Sequence, residues 1–499
     1  LKRLVAAAVL TALMSTTSLA QDPINLSLKE AIRQAVEKNL DLRVELFNPA
    51  LAEAEVRRAR GIYDTHLTLE TSYEDSSSFL SGLVRANELK TYKLNPGAYQ
   101  LLPSGGTLSA VFTNMHVSSN ASTAAFGGSY WQSGLTLALN QPLLKNFGRD
   151  TTELNIQVAV QGKDGAMQRY RSRIMATVAQ VQSEYYRLHS LRQDLESRRS
   201  SLELARRILT DTKARVAAGV LPAMETLNAE FGVSSREKEL IDAERAVRDE
   251  VDTLRLLVQL EPGRDIITID PPSRAEISVV EAEAISQAVK NRPEFAELQA
   301  QLNAAELQQR VAKSRTQPDL NLTTSVALNG IGDEYGRNLE RAGAADYPVW
   351  FIGLHLDYPL GNRTAENEYV NSRLKVEQVR VQQASLQESV ANEVRAAIRA
   401  VQSSFKLLDV SDRNRAYGEE RLKAYIKKNE VGLATTKDVL DVENDLTTAK
   451  SNQISAQVAY STAVTQLLKV TGELLERVGI AVTSVAADKL VAGDRTIPQ

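Results

Sequence analysis

The chain repeats itself. Glu30-Ala31-Ile32-Arg33-Gln34-Ala35-Val36 recurs as Glu283-Ala284-Ile285-Ser286-Gln287-Ala288-Val289, an offset of 253 residues (283 − 30). Without a gap, the same offset lays Leu67-Thr68-Leu69-Glu70-Thr71-Ser72 on Leu320-Asn321-Leu322-Thr323-Thr324-Ser325. Trp131-Gln132-Ser133-Gly134-Leu135-Thr136-Leu137 then matches Trp350-Phe351-Ile352-Gly353-Leu354-His355-Leu356, and Pro142-Leu143 is answered by Pro359-Leu360. Gly219 and Leu227 pair with Gly432 and Leu440 at an offset of 213 (432 − 219). Matches in one order mark an internal duplication, so the fold must combine two similar units. We place the first repeat at 21–270 and the second at 271–475. The tail, 476–499, is expected to be equatorial or disordered.

Each repeat reads as helix, strand, strand, long helices. The first helix is expected over 27–60 and again over 279–313. Ser27 followed by Glu30 forms a capping-box pattern. The strands alternate. Leu67, Leu69, Thr71 and Tyr73 oppose Thr68, Glu70 and Ser72, and Leu320, Leu322, Val326 and Leu328 oppose Asn321, Thr323, Ser325 and Asn329. Trp131, Leu135, Leu137 and Leu139 oppose Gln132, Thr136 and Asn140; Trp350, Ile352, Leu354, Leu356 and Tyr358 oppose His355 and Asp357. This pattern fits a half-buried soluble sheet. It also fits lipid-facing barrel strands with a polar lumen and interfacial aromatics.

The N-terminus has the three parts of a secretory signal over 1–20: Lys2 and Arg3, an apolar Leu4 to Met14, and Ser18-Leu19-Ala20 before a cleavage point. The mature chain is expected to begin at Gln21. With no Cys, an exported chain relies on packing or assembly and has no acylation site. No later stretch reaches the length of a transmembrane helix. A membrane-spanning form must therefore be a closed barrel, because lipid cannot satisfy open backbone groups.

Helices are expected over 150–219 and 222–260, and over 364–431 and 435–470. At about 1.5 Å per residue they would be roughly 50 to 100 Å long, a length that suits coiled coils or a helical tube. Both pairs break at one glycine, Gly219 and Gly432, in a tight hairpin tip. Four main strands per chain cannot close a membrane barrel, whose smallest form has about eight. Three chains with four strands each would give twelve under cyclic symmetry. The insert 74–128 contains a strand-like Thr107 to Val117 and is expected as an extra extracellular or equatorial hairpin.

Together these pieces resemble the TolC family of outer-membrane efflux and secretion channels, over almost the entire mature chain. They are the duplicated order, the strand endings Leu139-Asn140-Gln141-Pro142-Leu143-Leu144 and Leu356-Asp357-Tyr358-Pro359-Leu360, and the two tips. The most specific is Gly432-Leu433-Ala434-Thr435-Thr436-Lys437-Asp438-Val439-Leu440-Asp441, which looks like the family's Gly-x5-Asp-Val-Leu-Asp tip; copy one has a looser version at Gly219, Glu225, Leu227 and Glu230. The resemblance implies an α+β membrane protein. Four strands per protomer would enter a trimeric twelve-stranded β-barrel, continued by a periplasmic α-barrel of helical hairpins. It implies a homotrimer in outer-membrane lipid, extending into the periplasm. A periplasmic adaptor and an inner-membrane pump would dock on it, with the tips at Gly219 and Gly432 as docking points. The implied function is the exit duct of a tripartite efflux pump or type I secretion system.

Asp438 and Asp441 lie at i and i+3, on one helix face. The resemblance makes them, with Glu225, the cation-sensitive acids of the periplasmic entrance, since acid rings select cations. Taken alone, they are acids near a helix N-terminus, where the dipole favours them. Where the family places a locking Tyr and Arg, this chain has Asn429 and Ala434. Lys427, Lys428 and Lys437 are candidates to pair with Glu225 instead.

Other functions find less support. The four His residues (His66, His116, His189, His355) show no metal-ligand spacing, and no phosphate loop or nucleophile elbow appears, so no enzyme, cofactor or metal is expected. A net charge of −3 offers no footprint for nucleic acid. The alternative is a periplasmic coiled-coil adaptor without a channel, which would need no alternating strands.

Overall fold

A computed structural model describes residues 23–79, 86–120, 128–483 and 485–492. The signal segment expected over 1–20 lies outside the described residues, as does the tail from 493. The chain divides into two compact units, and each draws on both repeats. One contains the chain up to Phe47, Gln168–Phe295 and the chain from Ser385; the other contains Asn48–Met167 and Ala296–Ala384.

The second unit is built on a six-stranded antiparallel sheet. Its strands are β1 (His66–Phe79), β2 (Ala86–Leu101), β3 (Thr107–Ser119), β4 (Ser129–Pro142), β5 (Asp319–Gly332) and β6 (Tyr347–Asp357). They are hydrogen-bonded in chain order. This corrects the expected count of four. The insert does not form an outlying hairpin. It supplies β2 and β3, which run the length of the sheet between the first two expected strands. Two features disguise β2 as a loop. Pro96 has no N–H to give, and the β2–β3 pairing is interrupted around it. There the Asn95 side chain accepts the Asn114 N–H at 3.0 Å.

Directly opposed residues of antiparallel neighbours share a face. One face carries an unbroken row across all six strands: Leu67, Ala98, Ala110, Leu137, Val326 and Trp350. The same face holds Leu69, Leu94, Leu108, Leu135, Ile352, Leu354 and Leu356, all exposed in the single chain. The opposite face is mainly polar, with Thr68, Glu70, Lys93, Ser109, Thr113, Thr136, Asn140, Thr323 and Ser325, and it also carries Tyr99, Val349 and Phe351. Towards one end of the apolar face an aromatic row runs Tyr73, Tyr92, His116, Trp131, with centroid steps of 4.7, 6.2 and 4.4 Å. Helix α7 (Tyr335–Gly343), between β5 and β6, meets the row at Trp131 through Tyr335.

The helices are α1 (Leu28–Lys38), α2 (Leu40–Arg60), α3 (Leu154–Ala217), α4 (Met224–Val258), α5 (Glu281–Asn291), α6 (Pro293–Arg315), α7 (Tyr335–Gly343), α8 (Arg363–Glu430) and α9 (Thr436–Val470). α7 lies on the apolar face, where Gly330 and Gly332 leave room for its backbone. Its buried Asn338 accepts the Ser133 N–H at 3.0 Å, and Tyr335 meets Trp131 at 5.1 Å.

The expected first helix of each repeat is two helices. The breaks fall at Asn39 and Arg292, both with extended ψ, and are separated by the same 253 residues (292 − 39). Arg292 precedes a proline, which disfavours helical backbone. Asn39 instead caps the next helix by accepting the Leu42 N–H at 3.1 Å. Only half of the expected capping box forms at α1. Ser27 accepts the Glu30 N–H at 3.2 Å, while the Glu30 carboxylate accepts from Arg33 and Gln34.

The first unit is held by apolar clusters. α1, α3 and α4 bury Ile32, Val178, Tyr185, Leu188 and Leu254 around a two-stranded parallel ribbon, Ile24–Leu26 with Ile266–Thr268. The Tyr185 hydroxyl donates to the Leu26 carbonyl at 2.9 Å. In the second repeat α5, α8 and α9 bury Ala288, Val390, Val394, Val401 and Tyr460. The second repeat ends in the core, with Leu474 and Leu475 buried, and Val478 and Ile480 of the tail pack against the same cluster.

The two repeats are also joined by a buried ion pair, Arg236 on α4 with Glu443 on α9. Arg236 Nε donates to Glu443 at 2.7 Å, Nη2 to the Leu440 carbonyl at 2.9 Å, and Nη1 to the Gly232 carbonyl at 3.1 Å. Ser201 and Thr447 donate to the same carboxylate. Every charge is thus compensated. Glu443→Leu alone strands the Arg236 charge, so it should cost about 3–5 kcal/mol, with Glu443→Leu/Arg236→Met recovering most of the loss. Urea midpoints of the three proteins check this.

A second buried acid, Glu250 on α4, lies beside Glu184 and 3.2 Å from Arg187. Burial first, and the Glu184 carboxyl next, push its pKa from 4.5 up to about 7. The folded state therefore holds this proton more tightly than the unfolded chain does. Its contribution is complete below pH 4.5 and is lost as pH rises through about 7. Thermal melts from pH 4.5 to 8 should show this fall, flattened in Glu250→Gln.

Candidate functional site at the hairpin tips

The two tips are built alike. After α3, Gly219 takes a φ of +74°, the Val220 N–H reaches back to the Arg215 carbonyl at 2.9 Å, and the Gly219 N–H to that of Val216 at 3.0 Å. After α8, Gly432 takes +77°, with Leu433 to Lys428 at 2.8 Å and Gly432 to Asn429 at 3.1 Å. This closure satisfies the last helical carbonyls and needs a left-handed residue. Nothing crowds either glycine within 4 Å. The backbone angle, and not space, selects Gly at both positions.

The return helices start differently. α9 opens on a full capping box: the Thr435 side chain accepts the Asp438 N–H at 3.1 Å, and the Asp438 carboxylate accepts the Thr435 N–H at 2.8 Å. The Thr435 hydroxyl also donates to that carboxylate at 2.7 Å. The Thr435 N–H, followed by this hydroxyl, holds the Asp438 carboxyl below its ordinary 3.8. Asp438 therefore stays ionised and stays turned towards its cap. Asp441, one turn further on, is exposed. In copy one Pro222 stands just ahead of α4, and Glu225 lies in its first turn, half-buried. One Glu225 carboxylate oxygen is buried without a hydrogen-bond partner among the described residues.

The lysines flagged as partners for Glu225 go elsewhere. Among the described residues no ion pair joins Glu225 to Lys427, Lys428 or Lys437. Lys428 instead stands over the Tyr425 ring at 5.0 Å. The tips are tied by a contact that the sequence did not disclose: Arg215 Nη1 donates to the Asn429 carbonyl at 3.0 Å. The Asn429 side chain donates to the Ala434 carbonyl at 2.9 Å, closing its own loop. The two positions that depart from the family lock are thus bonded to each other. Lys213 and Glu230 add a pair at 2.9 Å between α3 and α4. Around these polar contacts Val220, Val431 and Leu433 on the turns and Met224, Leu227 and Phe231 at the start of α4 are exposed, an apolar concentration at the tips.

This pairing of an apolar-faced sheet with two glycine-closed hairpins has known counterparts. The chain is 24% identical over 304 residues to the pyoverdine export outer membrane protein OpmQ of Pseudomonas aeruginosa, a match covering 58% of this chain and 60% of that one. It is 23% identical to the outer membrane efflux protein BepC of Brucella suis, over 68% and 72% of the two chains. Among solved structures, the CmeC outer membrane channel of Campylobacter jejuni superposes with a TM-score of 0.63 at 12% identity, over 95% of this chain and 90% of that one. The open-state MtrE channel of Neisseria gonorrhoeae gives 0.61 at 18%, over 90% and 89%. These structures share the fold. The sequence profile described as outer membrane efflux protein matches residues 111–258 and 284–473. Matched over more than half its length, the chain belongs to the outer membrane efflux protein family.

Proposed function

We infer that the protein is the outer-membrane exit duct of a tripartite efflux pump or type I secretion system. It is a passive channel and not an enzyme. Three copies close one β-barrel in the outer membrane, and their paired long helices extend into the periplasm. The observation that carries this reading is the six-stranded sheet, apolar along one face and polar along the other, in a chain whose helices end in two matching tips. A coiled-coil adaptor has no use for an exposed row such as Leu67, Leu137, Val326 and Trp350. An apolar face of this extent needs lipid or a partner to cover it.

At the tips, the apolar residues around Gly219 and Gly432 form the surface for a periplasmic adaptor, behind which an inner-membrane pump engages. Asp441 and Asp438, repeated by threefold symmetry, line the entrance, with Glu225 beside them. Asp441 is the freer charge of the pair, because Asp438 also serves as a helix cap. The relatives named for pyoverdine export and for efflux differ in what they carry, so cargo selection falls to the pump and not to this scaffold.

Two measurements test this reading. Cell fractionation should recover the protein from the outer membrane as a trimer that needs detergent for extraction; a soluble monomer would overturn the proposal. In planar bilayers, Asp438→Ala/Asp441→Ala should weaken block by multivalent cations applied at the periplasmic side. Asp441→Ala alone should give most of that effect without lowering the melting temperature. Unchanged block in the double variant would remove the aspartates from the entrance.

A further inference from the structure

The insert of the first repeat changes what three copies can build. β2 and β3 have no counterpart in the second repeat, where residues 333–346 and α7 join β5 to β6. Four observations identify them as wall strands of the barrel and not as an appendage. Their lengths, 16 and 13 residues, exceed the 9–11 or so that a tilted strand needs to cross a bilayer. They continue the apolar row through Ala98 and Ala110 in register with Leu67 and Leu137. They supply the two middle rings, Tyr92 and His116, of the aromatic row that ends at Trp131.

The fourth observation is at the other end. The β2–β3 turn, residues 102–106, is bolted to the junction where β4 leads into α3. The Ser104 hydroxyl donates to Gln141 Oε1 at 2.6 Å, Gln141 Nε2 donates to the Ser104 carbonyl at 3.1 Å, and the Gly148 N–H donates to that carbonyl at 3.0 Å. Gly105, at φ +86°, is so close to the Asn146 carbonyl that a Cβ there would sit 2.6 Å from it. The inserted hairpin therefore spans the same height as its neighbours, fixed at both levels.

We propose that the membrane barrel of this protein has eighteen strands, six from each of three copies, and so a wider pore than a four-strand protomer can enclose. This rests on the exit-duct reading given above. β1 and β6 are the free edges, and with an even number of strands they run in opposite directions. β6 of one copy can then pair with β1 of the next in the antiparallel sense that holds within the sheet. Strands about 4.8 Å apart and tilted about 40° give a backbone diameter of about 24 Å for twelve strands and about 36 Å for eighteen.

The absence of cysteine makes the test direct. Single-cysteine variants are placed on the inserted strands, at Leu94 and Ala110 on the apolar face and at Lys93 and Ser109 on the polar face. Leu137→Cys and Thr136→Cys on β4 serve as references. In trimers reconstituted into liposomes, a water-soluble maleimide should label Lys93→Cys and Ser109→Cys at least about tenfold faster than Leu94→Cys and Ala110→Cys, because a barrel lumen is wet and its outer face is not. A fluorophore at the two apolar-face sites should be quenched by nitroxide-labelled lipid as strongly as one on Leu137→Cys. Native mass spectrometry should give three chains. If both faces of the inserted strands label alike and lipid quenches only the Leu137 site, the hairpin lies outside the wall and the barrel is twelve-stranded, with the duct reading intact. Two chains per particle would likewise give twelve and overturn the proposal. Loss of quenching at Leu137 as well would remove the barrel and the duct together.

Discussion

In the proposed barrel, everything in the sheet unit depends on backbone hydrogen bonding in a place without water. Inside the sheet each strand satisfies its neighbour, from β1 to β6. At its two outer edges the single chain cannot. In water an edge strand is a tolerable weakness. In hydrocarbon each unpaired N–H or C=O costs several kcal/mol, which is why the proposed barrel closes the sheet on other copies. The alternation of side chains follows from the same constraint. Leucines and Trp350 face outward where no protein covers them, and threonine, serine and asparagine face the other way.

The helical unit obeys a different logic. Its helices, up to 68 residues long, are stabilised by one cluster within the second repeat and by others that draw on both repeats. Arg236 and Glu443 join α4 to α9 at a buried point, and Arg215 joins the two tips at a part-buried one. Each contact crosses from the first repeat to the second. Duplication supplied two similar hairpins, and these polar contacts lock one against the other in a single register.

Much of this was legible from the residues. Strand alternation gave the correct faces for all four expected strands, because a period of two survives in strands whose outer side is uniformly apolar. The hairpin glycines were legible because their role is a backbone angle, which only Gly meets at no cost. Of the inserted strands, β3 was legible as strand-like over Thr107 to Val117 but its place within the sheet was not, and β2 was missed. Between Lys90 and Gly97, β2 carries Lys93, Asn95 and Pro96 as well, a composition that reads as a loop, and its pairing across the proline is completed by a side chain. The breaks at Asn39 and Arg292 were hidden inside continuous helical periodicity. At the start of α9, spacing placed Asp438 and Asp441 one turn apart, but spacing cannot tell that one carboxylate is occupied by Thr435. Arg215 gave no signal, since its partner is a main-chain carbonyl.

The hairpin β2–β3 sits in one repeat only, and it enters the sheet as a pair of strands. An even increment leaves the directions of β1 and β6 unchanged, so the edges by which copies pair in the proposed barrel are untouched. Adding it also left the α3 junction intact, since the new turn folds onto that junction through Ser104 and Gln141. In the proposed barrel, girth is thus an evolvable quantity, adjustable in steps of one hairpin per subunit. A lineage could enlarge its outer aperture while its tips, and whatever machinery they meet, stayed the same.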